Sequence, residues 1–169
     1  MSDKIRVFVS GASDEMERAS RFIDALNAHP HCEALDWPAN IRAVGSANRG
    51  VPGREARRSA ARSFEFARDC DVMLFLVPAV PTRGAWVELG VALLSGKACV
   101  AIAGRKHDID GSIFCSLASV VIYEEPGECM SAGRAQEQAD ASAAHWLQGF
   151  ISSQRQSDAE RPVRRSKEP

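Results

Sequence analysis

Short apolar runs alternate with stretches of helical period along the chain. Ile5–Ser10, Val72–Val77 and Ala98–Ala103 are continuous enough in apolar residues to predict strands buried on both faces. Cys32–Trp37 and Val120–Tyr123 predict two weaker strands. Between them lie helical patterns. Gly11-Ala12-Ser13 turns the chain, with Ser13 expected as an N-cap and Asp14 and Glu15 in the first turn. Met16, Ala19, Phe22, Ile23 and Leu26 then recur at helical spacing until Pro30. Ala56, Ala60, Phe64 and Ala67 form one stripe of a helix from about Pro52 to Arg68, whose other side carries Arg54, Arg57, Arg58 and Arg62. Val87, Val91 and Leu94 form the expected inner face of a helix over Ala85–Ser95, closed by Gly96. Ser112–Leu117 reads as a single helical turn. A last helix from about Ala135 to Ser153 carries Ala139, Ala143, Trp146, Leu147 and Phe150.

Alternation of strand and helix predicts an α/β fold: a three-layer, doubly wound parallel sheet of five strands in the flavodoxin-like order 2-1-3-4-5. Such sheets bind ligands beyond the C-terminal strand ends, where the strand order switches. In this order the crevice lies between the first and third strands. Its rim is Ser10–Ser13, the turn-rich loop Pro38–Gly53, and Pro78–Gly84. The domain is expected over residues 1–153. From Gln154 onward apolar residues nearly vanish, so 154–169 reads as a disordered charged tail.

Composition narrows the function classes. The 169 residues are 45% hydrophobic and 25% charged, an ordinary globular balance. Lys plus Arg number 21 against 22 Asp plus Glu, a net charge of -1, so no nucleic-acid or membrane partner is expected. No apolar stretch approaches the ~18 residues of a membrane span, and the start of the chain is too interrupted for a signal segment. Five cysteines without a C-x-x-C pair predict reduced thiols in a cytoplasmic protein. The four histidines show no metal spacing, and neither a bound metal nor a cofactor is expected. There is no Walker loop, no G-x-G-x-x-G and no G-x-S-x-G elbow.

The segment Asp71–Lys97 carries the chemistry. Glu88 sits about one turn into a helix that starts on the ligand edge, on the same helix face as Gly84. Its carboxylate leans back toward the crevice, over space that Gly84 leaves open. Placed beside a sugar anomeric carbon, a carboxylate can act as nucleophile or stabilise an oxocarbenium-like transition state. It can equally sit near a helix start because the macrodipole favours it there. The turn of Ser10, Gly11 and Ser13 can cradle a phosphate or serve as a plain strand-to-helix turn. Asn48 and Arg49 in the long loop can contact a ligand, and the arginines can equally be solvated. Trp37 and Trp86 can stack on a base or pack on the core. Asp71 can position a ribose hydroxyl or bond to nearby backbone.

Gly84-Ala-Trp-Val-Glu88-Leu-Gly90-Val-Ala, followed by Gly96-Lys97 and an apolar strand, resembles the signature of the nucleoside 2-deoxyribosyltransferase family. The resemblance implies a flavodoxin-like fold with Glu88 as nucleophile on the sugar. Thr82, six positions before Glu88, matches the phosphate-binding hydroxyl residue of that family's deoxynucleoside 5′-monophosphate N-glycosidase branch. The transferase branch usually has an Asp at that position. Asp71 fits an acidic position of the family pattern. Val7 and Phe8 stand where the family usually has a Tyr. Residues Val7–Asp14 also resemble the first strand of bacterial Toll/interleukin-1 receptor (TIR) domains, some of which cleave NAD. The implied partner is a small-molecule nucleoside, nucleotide or derivative, and the resemblance also implies a homo-oligomer. The expected function is an enzyme that cleaves or transfers at an N-glycosidic bond. The alternatives are a TIR-like NAD hydrolase, with NAD as substrate, a non-catalytic module that senses or sequesters a nucleotide derivative, and an interaction domain.

Overall fold

The computed structural model describes residues 4–36, 38, 53–78, 82–104, 106, 109, 114–123 and 132–159; the side chains of residues 14, 132, 133, 135 and 154–159 fall outside the description. The strands are β1 (Ile5–Ser10), β2 (Cys32–Leu35), β3 (Val72–Leu76), β4 (Ala98–Ile102) and β5 (Val120–Ile122). The helices are α1 (Met16–Asn27), α2 (Arg54–Asp69), α3 (Gly84–Leu94) and α4 (Ala132–Ala159). Every strand pairing is parallel, in the order β2-β1-β3-β4-β5. This is the flavodoxin-like α/β architecture that the alternating pattern predicts. Each strand begins where the apolar run begins and stops up to two residues before it ends.

Strand periodicity decides which face serves which helix. Side chains alternate across a strand, and Phe8 and Ser10 of β1 stand in register with Met73 and Phe75 of β3. Phe8 meets Phe66 of α2 with ring centroids 5.8 Å apart, and Phe75 meets Trp86 of α3 at 4.8 Å. Ser10 is therefore turned toward the α2–α3 layer. The opposite face is covered by α1 and α4. Buried Arg18 of α1 donates from Nη2 to Asp140 of α4 at 2.6 Å and from Nη1 to Glu15 at 3.2 Å. Such a pair is costly to break, because either partner alone leaves a desolvated charge.

Two glycines have a steric reason. Gly96 adopts φ +68°, and its N–H donates to the Leu93 carbonyl while that of Lys97 donates to Ala92, each at 3.0 Å. This is the Schellman closure of α3, with the left-handed residue supplied by Gly. Gly11 leaves β1 so close to β3 that a Cβ would lie 3.3 Å from Cβ of Leu76.

Several local expectations differ from the structure. Ser13 is no N-cap: Ser13–Glu15 form a short 3-10 turn, and neither that turn nor α1 has a side-chain cap. The buried stripe of α2 is Ser59, Ser63 and Ala67, not Ala56, Ala60, Phe64 and Ala67; Phe64 is 44% exposed. The buried face of α3 is Ala85, Leu89 and Ala92, while Val87 is 49% and Leu94 93% exposed. Small residues of both helices face inward together with Leu89, while Phe64, Val87 and Leu94 lie outward. The turn within Ser112–Leu117 is a 3-10 turn over Cys115–Leu117. The last helix passes Ser153 and reaches Ala159, so the first six residues of the expected tail are helical.

Among the described residues, no helix is long and apolar enough to cross a membrane. Cys32, Cys70, Cys99 and Cys115 are buried and outside any disulfide. Burial pushes Cys70 up to about 12 and Cys99 up to about 11, so neither supplies a thiolate nucleophile near neutral pH.

Candidate active site

Three elements meet at the C-terminal edge of the sheet. Ser10 ends β1 and is fully buried. Glu88 lies in the second turn of α3, and at ~100° per residue it flanks the Ala85–Leu89–Ala92 stripe. That position leaves it partly buried, between the sheet side and solvent. Ser63 belongs to the buried stripe of α2. Ser10 Oγ donates to Glu88 Oε2 at 2.5 Å, across 78 residues of sequence. Burial raises the pKa of Glu88 above its ordinary value, and the hydroxyls of Ser10 and Ser63 partly offset that rise. The carboxylate is thus held at the point where the strand order reverses, by the neutral Ser10 hydroxyl.

The other residues singled out from the sequence fall in different places. Gly84 opens α3 at the same edge, and a Cβ there would meet nothing within 4 Å. Thr82, partly buried, lies two residues before α3 at this edge. Gly11 follows Ser10 directly, and Ser13 is exposed. Asn48, Arg49 and Trp37 lie outside the described residues. Trp86 packs its ring edge against Phe75, which commits it to the core.

Asp71 is not brought to the site. It precedes β3 at the opposite edge of the sheet, four residues before Phe75, the register partner of Ser10. At ~3.3 Å per residue that is roughly 13 Å from the site. Its Oδ2 accepts from the Arg6 backbone N–H at 2.7 Å, and its own N–H donates to the Arg6 carbonyl at 2.8 Å. Of the two roles open to it from sequence, bonding to nearby backbone is the one the geometry gives. The α2 arginines are likewise displaced. Arg54, Arg57 and Arg58 line an open hollow of about 560 Å³. At ~100° per residue they fall on the side of α2 away from Ser59 and Ser63.

Ser63 is the site residue that sequence reasoning missed. A serine amid arginines and alanines reads as solvent-facing. The signal that marks it is the i, i+4, i+8 run of small residues Ser59, Ser63 and Ala67, which a helix needs when another helix lies close alongside.

Fold and site together define a flavodoxin-like α/β domain with a hydroxyl-held carboxylate at its topological switch point. No protein-family model matches the sequence. A search of curated proteins finds no match. Among solved structures, the chain is similar to the Clostridium botulinum CMP N-glycosidase BcmB, at 18% sequence identity and a TM-score of 0.49. The alignment covers 81% of this chain and 98% of that one. Among the described residues, no group of three or more His, Cys, Asp or Glu could hold a metal ion.

Proposed function

We propose that this chain binds a nucleoside, nucleotide or derivative at the β1–α3 crevice and cleaves, or transfers at, its N-glycosidic bond. The observation that carries the reading is the 2.5 Å hydrogen bond from Ser10 to Glu88. It fixes a partly buried carboxylate at the ligand edge with one oxygen oriented by the protein. In the first step a Glu88 oxygen bonds to the anomeric carbon. The bond to the base breaks, and its electron pair leaves on the base nitrogen, which takes up a proton. In the second step water, or a second base, attacks the same carbon and releases the carboxylate. The first step needs Glu88 ionised; the second regenerates the free carboxylate, and attacking water gives up a proton. Gly11 and Thr82 are placed at the same edge, where the 5′ side of the substrate would lie. Ser13 would reach the substrate only from the exposed turn beyond Gly11.

The test is base release from a panel of nucleosides, their 5′-monophosphates and NAD, read by chromatography for wild type and Glu88→Gln. Base released by wild type and lost in Glu88→Gln supports the reading; equal turnover by both removes it. Nicotinamide release from NAD alone selects the NAD-cleaving alternative. Tight retention of a nucleotide without turnover selects a binding module. Self-association, implied by the family resemblance, belongs to the same proposal. Sedimentation of the purified chain as a dimer or larger supports it, and a monomer removes it.

A further inference from the structure

We propose that the outward face of the α2–α3 layer is the docking surface for a second copy of this chain, set antiparallel across a two-fold axis. The inference deepens the self-association proposed above and rests on it, not on the N-glycosidic chemistry.

The first observation is the composition of α3. Over Gly84–Leu94 it carries one charged side chain, Glu88. A helix that is apolar on every side belongs in an interior. Ala85, Leu89 and Ala92 take one side of it into the core. The other side stays uncovered: Val87 is 49% and Leu94 93% exposed, and Val91 is half-buried. Positions 87, 91 and 94 are spaced i, i+4, i+7, so they form one stripe. Phe64 on the neighbouring α2 is 44% exposed and widens the apolar surface. Two helices about 24 and 16 Å long, packed about 9 Å apart, offer a face on the order of several hundred Å². Exposed apolar surface of that extent marks a contact with another protein.

The second observation is the charge pattern of α2, which is complementary to itself. Arg54, Arg58 and Arg62 follow one another at i, i+4, where like charges weaken a helix. Arg54, Arg57 and Arg58 are exposed and make no ion pair among the described residues. Glu65 is exposed on the same outward side as Arg58, two turns further on. About 10 Å of helix separates the two, too far for a pair within one copy. The small Ala61 lies midway. A two-fold axis at that level sets α2 antiparallel to α2 of the second copy. Arg58 of each copy then faces Glu65 of the other, and the helices cross at Ala61. The same rotation sets α3 antiparallel to α3 and brings Leu94 of one copy toward Val87 of the other. Every contact is made twice, as an isologous interface requires. An apolar stripe bordered by arginines also matches the dry centre and polar rim of such interfaces. A different partner would not explain why the acid that answers the arginines lies on the same helix face.

The experiment is sedimentation equilibrium of the full chain over a range of concentrations. Wild type is expected to be a dimer. Leu94→Glu is expected to weaken the dimer about hundredfold, because each copy would bury a charge against the apolar stripe of the other. Circular dichroism is expected to be unchanged, since that side chain is 93% exposed. Leu117→Glu is the control: Leu117 is 63% exposed and lies three residues before β5, away from this face, and the dimer is expected to persist. Arg58→Glu and Glu65→Arg are each expected to weaken association roughly tenfold, and the double variant to restore it. A dimer unmoved by Leu94→Glu, or single reversals without rescue in the double variant, overturns this surface and leaves self-association standing. A wild-type monomer at every concentration overturns both. Neither outcome touches base release, so the N-glycosidic reading stands or falls on its own assay.

Discussion

Removing the Ser10 hydroxyl is the most informative single change at the site. Ser10 is fully buried, and Ser10→Ala removes only the atom that donates to Glu88 Oε2 at 2.5 Å. The strand and its register with β3 are untouched, because the backbone pairing of Ser10 with Phe75 does not involve the side chain. A hydrogen bond to a charged group contributes about 1.5–3 kcal/mol net. If that is expressed in the transition state, kcat/KM falls roughly ten- to hundredfold. The loss has two parts with different pH dependence. The hydroxyl lowers the Glu88 pKa, so its removal moves the carboxylate further toward the neutral form. On the acidic side fewer molecules carry the required anion, and the deficit is largest there. On the alkaline side Glu88 is ionised in both proteins, and the residual deficit reports orientation alone. The assay is initial-rate base release across pH, with circular dichroism to confirm the fold. Rates within twofold of wild type at every pH would refute the reasoning, because the hydrogen bond would then be irrelevant to the reacting group.

Glu88→Gln gives an independent prediction in stability. Burial holds the folded-state pKa of Glu88 above its ordinary 4.5. Below that value both folded and unfolded states are protonated, and the contribution is fully favourable. As pH rises through the folded-state pKa, the native state must ionise a partly buried group, and stability is lost. Glu88→Gln is therefore expected to melt at a higher temperature than wild type near neutral pH, with the gap closing on acidification. A gap that widens toward acid in calorimetry would contradict the burial argument.

The architecture was legible because buried parallel strands need nearly unbroken apolar runs. Val72–Leu76 and Ala98–Ile102 contain little else. Helix faces were harder to read. In α3, Val87 and Leu94 look more hydrophobic than Ala85 and Ala92, yet the alanines face inward, because distance to α2 and the sheet rather than side-chain hydrophobicity sets that choice. The same crowding hid Ser63. Glu88 was visible from its place in the second turn of a helix on the ligand edge. Ser10 was visible from its place at the end of the first strand. Asp71 directly precedes the predicted strand Val72–Val77, so its place at the start of that strand was legible, while the choice between a ribose and a backbone partner was not. The structure adds that it bonds to the backbone of Arg6 on the neighbouring strand.

The most direct measurement is the amount of free base liberated from nucleotide substrates by wild type and by Glu88→Gln at matched concentration. A carboxylate that attacks the sugar predicts release by wild type and none above background from the amide. Equal release by the two proteins would contradict that role for Glu88 outright.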